Sequence, residues 1–409
     1  MKKKILVITQ CVPFPLDTGG NQAVFNGIEA IRNDFDIIVT CYNPYNIQTI
    51  DQLKEVWPDV RIIPFIYNKW KQSKSFLLDK LVERICNKLE PDGIYNYSSA
   101  MITNRFNHYV PEFYEFLNKL ICEEQVDFVQ CEFMCNLPLV HCLPQTVKKV
   151  FVHHELEFCR NEQLFCAKGY NDAYSRYVLN MLKQDEIASL SLFDGVITLS
   201  DVDAKKLYDE GVTSKIFPSF ALVKPCNKFY EIEDVFNKRI SFVGPESHLP
   251  NKNGVRWFLD NVWSLIQSES TDWTFEIIGK WSEDTRSEYC KKYSGVKFLG
   301  FVDDLGEALK GTIMIVPLLI GSGIRMKLLE ASNMGIPFVS TTIGAEGLPF
   351  KHNESCMIAN TPKDFAHCIL AMQDPKIQQK MAMNAKKNVS KTFSLEQLRK
   401  NRLDAFAHL

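Results

Sequence analysis

The sequence predicts an α/β protein of two domains, each built on a mostly parallel β-sheet with helices on both faces. The chain has 409 residues, whereas single cores stop growing beyond about 250 to 300 residues, so two domains are expected. Short apolar runs alternate with longer helical stretches, which is the pattern of βαβ units. The runs are continuous rather than alternating with polar residues, which is typical of strands buried on both faces.

The candidate strands fall into two series along the chain. The first series is Ile5–Thr9, Asp36–Cys41, Arg61–Phe65, Asp127–Cys131, Val150–His153 and Gly195–Leu199. The second is Ile240–Val243, Phe275–Ile278, Val296–Leu299, Ile313–Val316 and Phe338–Thr341. Between them, Phe217–Lys238 contains prolines and scattered charges without periodicity, as a linker does. We therefore assign residues 1–220 to an N-terminal domain, 221–238 to a linker, 239–390 to a C-terminal domain and 391–409 to a C-terminal helix.

The composition excludes several classes of protein. Hydrophobic residues make up 46% and charged residues 23% of the chain, a balance that excludes disordered and fibrous proteins. The 47 basic and 49 acidic residues give a net charge of −2. No overall field attracts nucleic acid, so we expect no nucleic-acid partner. The 13 cysteines form no CxxC pair and no zinc-type spacing with histidine, so we expect buried thiols in a reducing cytoplasm.

Two segments bear on membrane contact. The apolar run Ile5–Ile8 ends after about four residues, too soon for a signal peptide, and no segment reaches the about 18 apolar residues of a spanning helix. Residues Lys69–Lys88 predict a basic amphipathic helix, for which an ordinary surface helix is the first interpretation and peripheral docking on the inner face of a membrane the second. Its apolar stripe is Leu78, Val82, Ile85 and Leu89, and its basic face is Lys80, Arg84 and Lys88.

The segment that begins at Gly321 carries the most chemical information, because it directly follows the predicted strand Ile313–Val316. Gly321 and Gly323 permit a close approach of the backbone, and Ser322 is a candidate helix cap. The N-terminus of the helix that follows presents N–H groups to an anion. Strand, glycine turn and helix in this order predict a phosphate site.

Charged side chains on the same segment extend this prediction. Arg325 and Lys327 supply cationic donors suited to a diphosphate, and Glu330 is placed to accept hydrogen bonds from a ribose diol. Gly335 then ends the helix. A plain packing turn with surface charges is the alternative, but it does not explain the whole order of residues together.

The segment from Gly321 to Pro337 resembles the signature of glycosyltransferase family four, in the branch that reads Gly-Ser-Gly-x-Arg-x-Lys-x-Leu-Glu. Supporting resemblances lie at Phe242–Pro245, Gly295–Leu305 and Ser340–Leu348. The resemblance implies the GT-B fold, in which two Rossmann-like domains face a central cleft. It also implies that the helix Leu395–Phe406 crosses back to the N-terminal domain.

The resemblance implies a hexosyltransferase-like enzyme. It would transfer sugar, with retention and without a metal ion or other cofactor, from a nucleoside diphosphate sugar to a saccharide or lipid-linked saccharide in cell-envelope polysaccharide biosynthesis. Donor binding would fall to Gly20, Gly244, Gly321, Ser322, Gly323 and Glu330. A nucleotide-sugar epimerase or hydrolase of the same fold and an inactive nucleotide-sugar-binding protein are the alternatives.

Two departures from the family pattern affect the donor site. The glutamate that commonly lies eight positions before Glu330 is replaced by Ser322. The basic residues that commonly follow the first glycine turn are also missing, because Pro245 follows Gly244 and the next basic residue is Lys252. We therefore expect Arg325 and Lys327 to neutralise the diphosphate.

The N-terminal half carries further candidate features. Gly20 lies in a glycine loop before a helix that is predicted to begin near Ala23; in the family such a loop sits opposite the donor phosphates, and a simple βα turn is the alternative. His154 with Glu155 follows the strand Val150–His153, at the end of a strand where ligands bind in parallel sheets, and resembles the family's sugar-contacting histidine.

Other residues near these strand ends leave alternatives open. His153 is the alternative to His154 as the residue that matches the family's histidine. Glu132 resembles an acceptor-facing acid, with a helix cap as the alternative. Asp303 and Asp304 are expected in a polar turn or helix cap, and we predict no metal site.

Overall fold

The computed structural model describes residues 2–16, 18–67, 98, 101–102, 105–106, 108–220, 222, 228–233, 235–321 and 323–409. The chain divides into two compact units. Unit 1 consists of Met1–Leu222 together with Leu398–Leu409, and unit 2 of Val223–Gln397.

Unit 1 is built on a seven-stranded sheet in which every pair of neighbouring strands is parallel. The strand order is β3-β2-β1-β4-β5-β6-β7. The strands are β1 (Lys4–Thr9), β2 (Asp36–Cys41), β3 (Arg61–Ile62), β4 (Phe128–Glu132), β5 (Lys148–His153), β6 (Gly195–Thr198) and β7 (Lys215–Pro218).

Helices connect these strands, as parallel pairing requires. They are α1 (Gly19–Ile31), α2 (Ile50–Val56), α3 (Pro111–Glu124), α4 (Glu157–Ala167), α5 (Ala173–Leu190) and α6 (Asp201–Asp209). Short 3₁₀ helices lie at Ile47–Thr49 and Met134–His141. On one face of the sheet, Ile8, Val129 and Phe151 pack with Phe113 and Leu190 from the helices in a continuous buried core.

Unit 2 repeats this design with a six-stranded sheet, also parallel throughout. The order is β10-β9-β8-β11-β12-β13. The strands are β8 (Arg239–Val243), β9 (Thr274–Ile278), β10 (Val296–Gly300), β11 (Ile313–Val316), β12 (Phe338–Ser340) and β13 (Met357–Ile358).

Seven helices of unit 2 contribute buried residues to this unit. They are α7 (Leu249–Asn261), α8 (Trp263–Glu269), α9 (Glu283–Lys292), α10 (Leu305–Leu309), α11 (Met326–Met334), α12 (Pro362–Ala371) and α13 (Pro375–Thr392). A core of fully buried residues includes Phe258 from α7, Phe275 from β9 and Phe365 from α12. The rings of Phe258 and Phe275 lie 4.8 Å apart.

The C-terminal helix α14 (Leu395–Ala407) belongs to unit 1 from Leu398 onward. The Phe406 ring packs on Phe128 of β4 and on Phe35, with centroids 5.1 Å and 5.2 Å apart. The chain therefore returns to the first unit after completing the second, as the fold prediction expects.

The predicted fold class is confirmed, since both units are parallel-sheet α/β structures. Strand β3 ends at Ile62 instead of Phe65, although Phe65 still forms a single bridge with Tyr42. Strand β7 was missed because it overlaps the proline-containing segment that reads as a linker, and β13 because it has two residues. The predicted helix Lys69–Lys88 lies outside the described residues. In the part of the chain that is described, no helix is long and apolar enough to cross a membrane.

Candidate active site

Two clusters of candidate site residues lie at the carboxyl ends of strands, one in each unit. In unit 2 the first element is the glycine turn after β8. Gly244 has φ 155°, and a Cβ there would come within 2.5 Å of Nδ2 of Asn251. Its N–H donates to the carbonyl of Ile278 at 2.8 Å, and its carbonyl accepts from Nε1 of Trp281 at 2.9 Å. Glycine is required here because the turn is both left-handed and crowded.

Lys327 of α11 lies against this glycine turn. Its Nζ donates to the carbonyl of Val243 at 2.7 Å and to Oδ1 of Asn251 at 3.1 Å, and it lies 4.8 Å from the Phe242 ring centroid. Burial lowers the pKa of Lys327 to about 7; Arg325 acts in the same direction and Glu330 opposes it. The ammonium is therefore held directly beside the backbone where the sequence predicts the donor to bind.

Arg325 lies on the second glycine turn, before α11. Its Nη1 donates to the carbonyl of Gly323 at 3.2 Å, and a Cβ on Gly321 would come within 2.4 Å of its Nη2. Gly321 and Gly323 have φ values of 133° and 76°. These glycines thus allow the guanidinium to lie against the turn, which brings the second predicted cation to the same end of the sheet as Lys327.

The start of α11 differs from the prediction. The helix begins at Met326, with Arg325 in the N-cap position, so the expected cap at Ser322 is wrong by three residues. Ser322 itself lies outside the described residues. The predicted stop is correct, because Gly335 is the left-handed C-cap at φ 79°. Glu330 is partly buried on this helix, near enough to Lys327 to influence its charge.

Lys252, the next basic residue after Gly244, has a partner of its own. Its Nζ donates to Oε1 of Glu246 at 2.8 Å, and Glu246 also accepts from Thr285 and from the backbone N–H of Ser282. Burial works to raise the pKa of Glu246, but these hydrogen bonds lower it to about 2. This pairing favours Arg325 and Lys327 as the cations of the glycine turns.

In unit 1, the pleat of the sheet separates the two candidate histidines. Residues two apart on a strand face the same side, so Glu132 and its register partner Val152 share a face with His154, while His153 faces the other side. Nε2 of His154 lies 2.6 Å from Oε2 of Glu132. Glu132 is 1% exposed, and its Oε1 accepts from Nε2 of Gln130 at 2.5 Å.

His153 is enclosed on the opposite face. Its Nε2 lies 3.0 Å from Oε1 of Glu186 in α5, and both side chains are almost completely buried. The same carboxylate accepts from the backbone N–H groups of Glu157 and Phe158 at the start of α4. His153 therefore helps to fix helices α4 and α5, and the geometry favours His154 as the site histidine.

Phe133 was not singled out by sequence reasoning, yet it connects two predicted site residues. It has the unusual φ of 69°, and its ring stacks on His154 with centroids 4.2 Å apart. A Cβ on Gly20 would lie 3.1 Å from this ring. Gly20 is in the first turn of α1, which begins at Gly19 because the Thr18 side chain caps it, earlier than the predicted start near Ala23. The glycine loop, Phe133 and His154 are consequently neighbours.

A cavity of about 380 Å³ opens beside His154 in unit 1. Its charged residues compensate one another: Arg160 donates to Glu155 at 2.7 Å and to Glu157 at 2.8 Å, and Arg105 donates to Glu157 at 2.8 Å. The lining residues are Gln10, Met101, Arg105, His108, Phe133, Met134, Cys135, His154, Glu155, Glu157, Arg160, Asn161 and Leu182. The predicted acceptor-side residue Glu155 thus lines a polar cavity with no large excess of either charge.

The acidic pair after β10 is a helix cap. Oδ1 of Asp304 accepts from the backbone N–H of Glu307 at 3.0 Å and starts α10. Across the described ranges, no group of three or more His, Cys, Asp or Glu side chains is arranged to hold a metal ion.

Comparison with known proteins agrees with this arrangement. Residues 237–374 match the family model of the group 1 glycosyl transferases, so unit 2 carries a glycosyltransferase domain. A Klebsiella pneumoniae relative, described as an uncharacterised 44.6 kDa protein in the cps region, is 26% identical over 408 residues, which cover 94% of this chain and 95% of the relative.

Solved structures of similar fold cover nearly the whole chain. TarM, known from S. aureus, has a TM-score of 0.71 at 12% identity and is matched over 99% of both chains. Sucrose-phosphate synthase from Thermosynechococcus elongatus has a TM-score of 0.71 at 14% identity, over 99% of this chain and 98% of its own. Anabaena HepE in complex with UDP-glucose has a TM-score of 0.65 at 14% identity, over 99% and 100%. The fold is accordingly GT-B.

Proposed function

We propose that this GT-B enzyme is a retaining, metal-independent glycosyltransferase of family four. In this proposal it moves a sugar from a nucleoside diphosphate sugar to a saccharide or lipid-linked saccharide. Unit 2 binds the donor and unit 1 provides the acceptor side.

The observation that carries the proposal is the pair of cations at the two glycine turns of unit 2. Lys327 contacts the backbone of Val243, next to Gly244, and Arg325 contacts Gly323. Both precede or begin a helix whose N-terminus attracts anions. A departing nucleoside diphosphate develops negative charge, so fixed cations and N–H groups at this position would stabilise the transition state of transfer.

The donor is proposed to be a UDP-sugar. Structures of similar fold were solved with UDP in S. aureus TarM and with UDP-glucose in Anabaena HepE. In this chain Glu330, one turn beyond Lys327, is the proposed acceptor of hydrogen bonds from the ribose diol.

The acceptor is proposed to be a saccharide that enters through the cavity beside His154. Guanidinium and carboxylate groups that already neutralise one another offer many donors and acceptors to hydroxyl groups, without favouring an ion. The related gene product in the cps region of Klebsiella pneumoniae supports a role in polysaccharide biosynthesis. His154 would contact the transferred sugar, and a donor phosphate oxygen would take the proton of the acceptor hydroxyl.

A donor screen by thermal shift tests this proposal. UDP-, GDP-, ADP- and CDP-sugars are each added to the purified full-length chain in the presence of a metal chelator. A bound donor at one hundred times its Kd should stabilise the fold by about 2.7 kcal/mol. Stabilisation by a UDP-sugar, but not by the free sugar, is expected. If none of the four classes raises the unfolding temperature, the chain does not bind a nucleotide sugar in this way.

A further inference from the structure

Asn161 of α4 is a buried amide that lines the cavity beside His154. It is 2% exposed, and among the described residues its Oδ1 atom has no hydrogen-bond partner. Leaving a buried acceptor unpaired costs free energy, and most such groups in folded proteins are paired. An apolar side chain of similar size would avoid this cost. The amide at this position therefore calls for a ligand.

One face of α4 supplies this part of the lining. Glu157, Arg160 and Asn161 are spaced i, i+3 and i+4, and all three line the cavity. One turn later Phe165, on the same stripe, is buried in an apolar cluster that also contains Leu182 of α5. Leu182 lines the cavity as well. On the helix, Asn161 thus lies between the charged part of the lining and its apolar part.

The guanidinium groups of the lining are already paired with carboxylates. The two Nη atoms of Arg160 donate to Glu155 and Glu157. Arg105, whose side chain is almost completely buried, also donates to Glu157. An anion would have to displace these carboxylates, and a cation would have to displace the guanidinium groups. The amide of Asn161, in contrast, can bind a neutral ligand without breaking an ion pair.

We propose that Asn161 determines acceptor specificity by binding two adjacent hydroxyl groups of an uncharged sugar ring; this rests on the proposed function, in which the cavity receives the acceptor. The oxygen and the nitrogen of one amide lie side by side, as the hydroxyls of a vicinal diol do. One hydroxyl donates to Oδ1 while its neighbour accepts from Nδ2. Because χ2 of asparagine is broad and each hydroxyl both donates and accepts, either orientation of the amide forms this pair.

The apolar part of the lining fits the remainder of such a ring. A pyranose carries its hydroxyls around the edge and C–H groups on its faces. With the hydroxyls on Asn161, the C–H groups would contact Leu182 and Met101, which pack in the same apolar cluster. The carboxylate of an acidic sugar would instead meet Glu155 and Glu157. The lining therefore selects an uncharged, hydroxyl-rich ring over an acidic one.

Unfolding of the ligand-free, full-length protein shows whether the amide has a structural role. Asn136 is the matched control, because it is also buried in unit 1 but donates to the carbonyl of Glu132 at 2.6 Å and accepts from Tyr109. Asn136→Leu removes these hydrogen bonds and should lower the urea midpoint, whereas Asn161→Leu removes an unpaired group and should leave the midpoint equal or raise it. An equal loss of stability in both variants would make Asn161 a structural residue and overturn the proposal.

Saturation-transfer NMR tests acceptor binding without a donor. The probes are the methyl glycosides of glucose, galactose and mannose, each with adjacent hydroxyls, and methyl glucuronide as the acidic counterpart. Neutral glycosides should bind the parent more tightly than the glucuronide does, and should bind Asn161→Leu about ten-fold more weakly, the effect of two lost hydrogen bonds. Glu162→Gln, on the exposed side of α4, should bind them as the parent does.

The outcomes separate this assignment from the proposed function. Failure of all three neutral glycosides to bind, tighter binding of the glucuronide, or equal affinity of the parent and Asn161→Leu would overturn the role of Asn161. UDP-sugar binding in the donor screen would then still support the proposed function. Conversely, Asn161-dependent glycoside binding by a protein that binds no nucleotide sugar would contradict the proposed function and leave the sugar site in place.

Discussion

Lys327 shows how burial changes what one side chain does at the proposed donor site. Its ammonium is held by a backbone carbonyl and an amide, and burial brings its pKa to about 7. Near neutral pH the group is thus divided between its charged and neutral forms. A diphosphate favours the charged form, so donor binding should draw a proton onto Lys327.

This predicts that donor affinity falls as the pH rises through 7. Because only the protonated form attracts the diphosphate, the Kd should be about five-fold weaker at pH 8 than at pH 7. Titration calorimetry in buffers of different ionisation enthalpy should also report proton uptake. Lys327→Arg is the matched control, since arginine stays charged and should give a flat profile. The same pH dependence in parent and variant would show that Lys327 is not the titrating group.

The two neighbouring histidines should respond differently to substitution. His154→Ala should lower transfer by about 10²-fold while the unfolding temperature changes little, because the ring faces the cavity. His153→Ala should instead destabilise the fold by about 1–3 kcal/mol, since it leaves the buried Glu186 without one partner. Denaturant unfolding and donor turnover are measured on both variants. If the two variants lose the same amount of activity and have the same stability, the histidines do not have separate roles.

At the residue scale, the sequence indicated more of the proposed donor site than of the proposed acceptor side. The order of residues in the Gly321–Pro337 segment indicates Arg325, Lys327 and Glu330 as candidates. It did not reveal Asn251, whose side chain holds Lys327 from 76 positions away.

Among the elements, the turn after β8 is the one whose geometry the proposed donor site depends on. Gly244→Ala should lower stability by about 1–3 kcal/mol and weaken donor binding, because the added Cβ meets both a left-handed φ and Asn251 at 2.5 Å. Gly311→Ala is the control: φ is 67°, but nothing lies within 4 Å of the added atom. Denaturant unfolding and donor titration compare the two. If Gly311→Ala loses as much donor affinity as Gly244→Ala, the turn after β8 has no specific role in donor binding.

Element types were predictable where apolar runs were long, and element ends were not. All eleven predicted strands are present, because continuous apolar runs bounded by polar segments have few other solutions. The start of α1 depends on one hydrogen bond that the Thr18 side chain accepts from the backbone N–H of Asn21, and the start of α11 depends on how Arg325 packs on its turn. At α1 the local contact overrides propensity, which disfavours the glycines Gly19 and Gly20 inside a helix.

At the scale of the whole molecule, membrane contact is a prediction from the sequence alone. If the Lys69–Lys88 helix docks on anionic lipid, each of its basic residues should contribute about 1 kcal/mol at low salt. Full-length protein should then co-sediment with anionic liposomes, less so at high salt or when Lys80, Arg84 and Lys88 are replaced by glutamine. Equal sedimentation of parent and variant would assign the helix to the surface of the protein, and the acceptor need not be in a membrane.

The central claim is that Arg325 and Lys327 support departure of a nucleoside diphosphate with retention at the sugar. Time-resolved ¹H NMR of UDP-glucose with the full-length protein, in the presence of a chelator, tests it without a known acceptor, because slow transfer to water releases glucose. The α anomer should appear first, and Arg325→Ala should slow its release by about 10²-fold. Initial release of the β anomer, or equal rates for parent and variant, would contradict it.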